Sequence, residues 1–506
     1  MTMTNDISVR IAMVGMLVLA GCGGGQPGPK VERKVTQEPV AELMDVVYDS
    51  VRTSPDNQTL AYIRAEEDKQ RITVGKHESQ PYDEVGWLTF SPDGKRFMYG
   101  ALQGERWKVV VDGKPGNAYQ SVAALKFSPD SQKAIYIGEA GGKEILVVNG
   151  REQERYEKVD PPVFSQDGRR MAYRGHIGDE KMAVVVDGRK SPVYTDAGEP
   201  VFSPDGRHVA YRAESGGKSF IVYDGQKLKS YALTGDPVLS PDGEHLAYAV
   251  VVEAQEMVVL DNQPQAPHDI VAKDSLVFSQ DGQHLAYAVQ DQKQWHVVRD
   301  NEAGPAFPQI EPTSLRLSVD GARVAYVIVR ESEKVKGVKY QSVVLDGKEG
   351  GAFDAVGEMV FSGDGKHFAY SAEKDKKVTV VADGRSYGKY DLVKSMTYGA
   401  DNQTLTYRAN RGFNLFVVVN GKSHPYYHDV WPVVECPGGK YVVYVATRGL
   451  NRYVMVNGHP GEAFNSIVDG NVVFTSGNTI SYLGLLSDPD KKNLKIVRVK
   501  EELGGR

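Results

Sequence analysis

The stretch Phe202-Ser203-Pro204-Asp205-Gly206-Arg207-His208-Val209-Ala210-Tyr211 decides the fold, because the 506-residue chain writes it twelve times. Its aspartate falls at Asp56, Asp93, Asp130, Asp167, Asp205, Asp242, Asp281, Asp320, Asp364 and Asp401, and two worn copies place Gly438 and Ser476 there. Six residues later every copy has a tyrosine, from Tyr62 and Tyr99 through to Tyr444 and Tyr482. The step is usually 37 residues and stretches to 44 between Asp320 and Asp364. A fixed period of about 20–50 residues is the signature of a repeat architecture.

Ser-Pro-Asp-Gly suits a type I turn, with proline presetting φ and glycine closing it. Thirteen residues after most of the tyrosines comes an Asp-Gly or Asn-Gly pair, as at Asp112, Asn149, Asp224, Asp383 and Asn457. Between β-branched runs such a pair is a strong hairpin signal, since both central residues must accept positive φ. Residues between the turns alternate, with Val209 and Tyr211 on one face and small Ala210 on the other. In the second copy this predicts four strands, near Trp87–Ser91, Arg96–Ala101, Trp107–Val111 and Ala118–Val122. Four antiparallel strands repeated radially make a β-propeller, so the chain reads as all-β with twelve four-stranded blades. Solenoid repeats are usually helical or have one strand per coil, and no stretch sustains a 3.6-residue apolar period.

The repeat resembles the WD40-like (PD40) repeat of the TolB type, found in bacterial periplasmic propellers. The resemblance covers residues 40–500 and departs from true WD40 repeats, because none of Trp87, Trp107, Trp295 and Trp431 precedes an aspartate. It implies a propeller that contacts other envelope proteins, although one propeller fold hosts many functions.

Residues 1–22 read as a secretory address. Arg10 precedes the apolar run Ile11–Ala20, which is too short for a permanent membrane span. It ends in Leu19-Ala20-Gly21-Cys22, which resembles a bacterial lipobox. That resemblance implies cleavage before Cys22, lipidation of Cys22, and localisation as a membrane-anchored envelope lipoprotein. Gly23 after the cysteine, by resemblance to enteric lipoproteins, points to the periplasmic side of the outer membrane. Residues 23–39, a glycine-proline run and then charges, read as a flexible tether. With Cys22 lipidated, Cys436 lacks a partner, so no disulfide framework is expected and Cys436 reads as a small buried apolar side chain. Net charge is −6 with 25% charged residues, which gives no basic surplus for nucleic acid.

Tyr48-Asp49-Ser50-Val51 matches Tyr119-Gln120-Ser121-Val122, so the chain is expected to begin with a fourth strand and to end, near Leu494–Val499, with a third. An N-terminal strand completing the last blade hides an open sheet edge. Since about 4–8 blades is typical, and Pro264, Pro267 and a longer Asp261–Asp281 interval suggest a break, the expected division is two six-bladed propellers, 40–263 and 264–506. A single twelve-bladed ring is the alternative.

No catalytic, metal-binding or cofactor-binding set emerges. Gly384-Arg385-Ser386-Tyr387-Gly388 fits a nucleophile-elbow pattern but sits on a repeat hairpin. His208, His245, His284 and His367 share one repeat position with Arg96, Lys133, Arg170 and Arg323, which suits a solvated strand start better than a metal site. The recurring aspartates read as turn chemistry, and the tyrosines as packing between blades. Two places escape the repeat. The insertion around Arg330, Glu331, Glu333, Lys334 and Lys336 lengthens one hairpin by seven residues and is the candidate partner contact. His424, Tyr426 and His428, on one face if strand-like, with Trp431 form a candidate ligand patch.

The function expected is a lipid-tethered, non-enzymatic propeller that binds an envelope protein or polymer. A propeller enzyme or a small-ligand sensor, with its site at a channel mouth, is the alternative.

Overall fold

The computed structural model describes residues 27–504 apart from 179, 333–336, 426, 432, 435–438 and 489–492. These residues form twelve antiparallel sheets, eleven with a four-strand path in sequence order and one that takes Glu32–Met44 as its outer strand, and the 3-10 turns lying wholly within the described residues are Tyr48–Ser50 and Lys273–Ser275. Blade two shows the pattern, with strands Glu84–Phe90, Phe97–Gln103, Arg106–Val111 and Lys114–Tyr119. The first strands of neighbouring blades lie against one another, so the blades converge on a central axis. The expected fourth strand, 118–122, in fact straddles a blade boundary: Tyr119 ends blade two, and Ser121–Phe127 opens blade three.

The turns explain the repeat. Ser91 Oγ donates to Asp93 Oδ1 (2.6 Å), which also accepts the Lys95 N–H, while Ser91 Oγ accepts the Arg96 N–H. Gly94 has φ +70°, and a Cβ there would stand 2.8 Å from the Asp56 carboxylate of the preceding blade. Glycine is thus required both by backbone geometry and by close stacking of one turn on the next. In the second hairpin Asp112 and Gly113 have φ of 49° and 79°, the two positive values that a type I′ turn requires. Because strands alternate in direction, the Ser-Pro-Asp-Gly and Asp-Gly turns share one face of the ring, here the turn face. The hairpins joining second to third strands occupy the opposite face, the hairpin face.

The core lies between blades. Twelve apolar clusters each bridge two successive blades, and blade six packs on blade seven through Ala249, Val258, Val271 and Val289. Blade twelve packs on blade one through Leu483, Ile496, Val51 and Tyr62. The contacts run through all twelve blades and return to the start, so the protein is one twelve-bladed ring. This corrects the expectation of two six-bladed propellers. The division at 263/264 falls at the start of blade six's outer strand, Gln263–His268. Pro264 and Pro267 are tolerated there because an outer strand needs no second ladder partner. The longer interval that follows is accounted for by the 3-10 turn Lys273–Ser275.

All twelve tyrosines are buried. In many blades an aromatic residue at the end of the preceding fourth strand meets the tyrosine edge to face, as in Tyr119–Tyr136, Tyr156–Tyr173, Tyr390–Tyr407 and Phe464–Tyr482. Such pairs contribute about 0.5–1.5 kcal/mol beyond area burial. Burial pushes the hydroxyls of Tyr173, Tyr248, Tyr287 and Tyr326 up to about 12. Two residues after the tyrosine, Gly138, Gly175 and Gly484 let the aromatic ring lie on bare backbone, where a Cβ would come within 2.5 Å of it.

The ring closes with Glu32–Met44, which pairs antiparallel with Asn493–Gly504, from Glu32↔Gly504 to Met44↔Asn493. The chain does begin with a fourth strand and end with a third, but the fourth strand lies earlier than Leu43–Val51. Residues 32–39 are therefore strand and not tether. The charged side chains that suggested a tether point mostly to solvent, as an edge strand requires, while Arg33 turns inward. Its guanidinium pairs with fully buried Glu501 and donates to the carbonyls of Val454 and His459, and Glu501 accepts the Tyr482 hydroxyl at 2.6 Å.

Two stability tests follow from this packing. Arg33→Ala, which leaves Glu501 buried without its cation, is expected to cost about 3–5 kcal/mol by urea unfolding, and Arg33→Leu/Glu501→Leu to recover most of the loss. Gly138→Val, which drives a side chain into the Tyr119 ring, is expected to cost about 1–3 kcal/mol in the same measurement.

Candidate functional site

The hairpin face carries the two most exposed large apolar side chains among the described residues. Blades ten and eleven each end their second strands in an arginine, glycine and an apolar tip: Arg411-Gly412-Phe413 and Arg448-Gly449-Leu450. Phe413 is 95% exposed and Leu450 90%. Exposed apolar residues scattered singly are ordinary. Here two large ones stand at matching tips of adjacent blades, each behind a cation, and Gly412 and Gly449, with φ of 59° and 63°, make the tight turns that lift them. Val338, half exposed, lies beside the lengthened hairpin of blade eight on the same face.

A cavity of about 490 Å³ opens where blades eleven, twelve and one meet, lined by Asp49, Arg52, Trp431, Arg452, Asp469 and Leu485 among others. Arg452 lies over the Trp431 ring at 4.7 Å and donates to Ser466 Oγ at 2.7 Å. Asp469 accepts the Thr53 N–H at 2.7 Å and lies 3.5 Å from Arg52. Burial raises its carboxyl above the usual range, against the opposing pull of that N–H and of Arg52. The cavity thus offers an aromatic ring, two guanidinium groups and a carboxylate, a set suited to a small polar ligand.

The sequence candidates fall into three groups. Cys22, Glu333, Lys334, Lys336, Tyr426 and Cys436 lie outside the described residues. Arg330 and Glu331 sit at the base of the blade-eight hairpin, where Arg330 pairs with Glu349 and lies over the Phe307 ring. Arg330 therefore anchors the hairpin to its own blade and to blade seven. His424, His428 and Trp431 do not share a face. His424 is buried and stacks on Tyr444, with Nδ1 3.1 Å from its hydroxyl, whereas exposed His428 accepts the Gly449 N–H and Trp431 lines the seam cavity. The alternation that would align them fails because the fourth strand of blade ten, Lys422–Ser423, stops short of His424.

The aspartates of the repeated turn, Asp93, Asp130, Asp167, Asp205, Asp242, Asp281, Asp320 and Asp364, each accept from the serine two residues earlier. The basic side chains three residues on reach the aspartate of their own blade's Asp-Gly turn: Arg96 to Asp112, Arg170 to Asp187, and the imidazoles of His208, His245, His284 and His367 to Asp224, Asp261, Asp300 and Asp383. Each of these histidines meets one carboxylate, a clasp across a turn. Ser386 lies within the strand Arg385–Tyr390, paired with Val381, so the strained strand-to-helix turn of a nucleophile elbow is not formed there.

Another group escaped sequence reading. His268 (Nδ1) and His296 (Nε2) lie 2.7 and 3.4 Å from one Asp291 oxygen, at the boundary of blades six and seven. The signal was present, because His268 replaces the aromatic residue that ends other fourth strands. It becomes visible only once those strand ends are aligned.

The buried groups set the acid response. Burial, then nearby His459, lowers His424 to about 4, so the unfolded chain takes up a proton that the folded chain refuses. Stability from this site is present above about pH 6.5 and declines toward pH 4, by roughly 3 kcal/mol at most. Hydrogen bonds from Ser91, Ser165 and Ser318 and from following backbone N–H groups lower Asp93, Asp167 and Asp320, so that contribution disappears only below the ordinary carboxylate range. Chemical denaturation from pH 7 to 3 is expected to show both limbs, and His424→Leu, the residue at the matching Leu228, to flatten the upper one alone.

No family model matches the chain, and no curated protein does. Among solved structures it is similar to a crystal structure of the eukaryotic initiation factor (11% identity, 67% of this chain and 94% of that chain, TM-score 0.34). It is also similar to TolB from Acinetobacter baumannii (13%, 51% and 76%, TM-score 0.22) and to the β-propeller domain of the trilobed protease from Pyrococcus furiosus (14%, 55% and 98%, TM-score 0.29). Similarity this low carries no functional argument, and the assignment as a β-propeller rests on the sheets and the cores between blades.

Proposed function

We propose that the protein is a lipid-anchored propeller of the bacterial cell envelope that binds another envelope protein through its hairpin face, without catalysing a reaction. The observation that carries this reading is the pair of apolar tips, Phe413 at 95% and Leu450 at 90% exposure, on adjacent blades. Arginine and aromatic side chains such as phenylalanine are enriched at protein interfaces, and Leu450 extends the apolar area beside them. Holding the two tips in water costs solubility, and a partner that covers them would offset that cost.

The anchor supports the same face. Gly28 docks on the Asn457–His459 turn of blade eleven, through Gly28 N–H to the Asn457 carbonyl and His459 Nε2 to the Gly28 carbonyl. That turn belongs to the turn face. With lipid on Cys22, the six residues from Gly23 to Gly28 reach at most about 21 Å. The turn face would then be held near the membrane and the hairpin face directed away from it. The strands Val324–Glu331 and Lys339–Leu345, which the blade-eight insertion joins, end on the face so presented.

A second reading rests on the seam cavity, whose Trp431, Arg52, Arg452 and Asp469 suit a small polar ligand. Under it, a ligand raises the melting temperature and Asp469→Asn removes the rise.

The interface reading is tested by crosslinking in intact cells of the source organism, followed by purification and mass spectrometry. One dominant envelope protein is expected, with recovery reduced at least tenfold by Phe413→Ser/Leu450→Ser at unchanged melting temperature. Undiminished recovery from that variant would overturn the assignment of the hairpin face.

A further inference from the structure

The boundary between blades six and seven breaks the repeat at three positions at once. Where Tyr119, Tyr156, Tyr390 and Phe464 end the fourth strands of other blades and pack on the next tyrosine, blade six ends in His268, only 8% exposed. Four residues after Tyr287 stands Asp291, where blades six and eight have Val252 and Arg330. Nine residues after Tyr287 stands His296, where blades five and six have Phe220 and Met257.

The fold brings the three together. Tyr287, Val289 and Asp291 alternate along one strand, and His296 lies opposite Val289 on the next, so Asp291 and His296 share a face. His268 comes from the blade before and reaches Asp291 Oδ2 at 2.7 Å, while His296 Nε2 is 3.4 Å from the same oxygen. The available ligand atoms of all three lie within 4.8 Å of one another, and among the described residues this is the one such group of histidine, cysteine and acidic side chains. Asp291 is held by the Asp269 N–H on its other oxygen, and His268 Nε2 is buried without a hydrogen-bond partner.

We propose that His268, Asp291 and His296 bind a divalent transition-metal ion of the zinc class and so clamp the outer edge of blade six to blade seven. Two imidazoles and one carboxylate are borderline nitrogen and oxygen donors, which suit zinc and its neighbours and not calcium or magnesium. Bonds of about 2.0–2.2 Å in a tetrahedron place donor atoms roughly 3.3–3.5 Å apart. The His296–Asp291 separation already fits, and His268 has to withdraw from its hydrogen bond by less than ~1 Å. Packing alone would be served by phenylalanine, as at Phe307, and His268 retains the edge contact with Tyr287 while adding a donor. The site opens at Asp291, the most exposed of the three, leaving a fourth coordination position to water or to a side chain of a bound partner.

The test titrates Co²⁺ and Zn²⁺ into the purified full chain after chelator treatment, reading the visible cobalt absorption and calorimetric heat. One equivalent bound with a micromolar or tighter Kd is expected, together with a rise in melting temperature. His268→Phe and His296→Met install residues that neighbouring blades use at those places, and each is expected to weaken binding at least tenfold. Absence of a stoichiometric cobalt band from the wild-type chain overturns the proposal. So does equal binding by both variants, which would place the metal elsewhere, for instance on the exposed histidine–aspartate clasps. Should His268→Phe lose its cooperative melt, His296→Met, altered on a different blade, decides alone.

Discussion

Everything in this ring depends on the pairing of Glu32–Met44 with Asn493–Gly504. A propeller blade buries little by itself, because its apolar residues face the blades on either side. Were the last blade to lack its outer strand, blades twelve and one would meet with an exposed sheet edge and half a core. The closing strand has thirteen residues, against six in outer strands such as Lys114–Tyr119, and it carries Arg33 onto buried Glu501. That ion pair has little tolerance for losing one partner, since the survivor would remain buried and charged.

Between the blades one contact is repeated with variations. The buried tyrosine of each second strand receives the end of the preceding fourth strand, often as an aromatic ring turned edge to face. Where the backbone of the second strand is bare glycine, as at Gly138 and Gly175, the ring lies directly upon it. Along the turn face, each Ser-Pro-Asp-Gly glycine approaches the turn of the preceding blade closely, as Gly94 does Asp56 and Gly243 does Asp205. These constraints explain why the motif survives twelve times: its residues join neighbouring blades as well as shaping their own.

The two faces differ for the same reason. On the turn face, backbone and clasped charges satisfy one another, which leaves little for a partner to gain. The hairpins of the opposite face are free of that stacking, and the departures from the repeat gather there: the tips Phe413 and Leu450, the insertion in blade eight, the seam cavity, and Asp291. A rigid ring holding varied hairpins toward one side is physically suited to recognition, and it leaves room for a metal clamp at the hairpin of blade seven.

The sequence by itself determined the four-stranded blade, the turns and the burial of the tyrosines, because each follows from local chemistry: positive φ at Asp112-Gly113, the serine–aspartate bond at Ser91–Asp93, alternation around Tyr211. Its reading of Glu32–Pro39 as tether failed because Arg33 and Glu501 are 468 residues apart, and charge alone looks the same on an edge strand as on a free segment. Nor could periodicity choose between one ring and two, since most blade boundaries carry similar residues, and whether blade six meets blade seven or blade one depends on the curvature summed around the ring. The tertiary structure alone decided that closure. It alone showed that His424, His428 and Trp431 diverge, and that His268, Asp291 and His296, from two blades, meet at one oxygen atom.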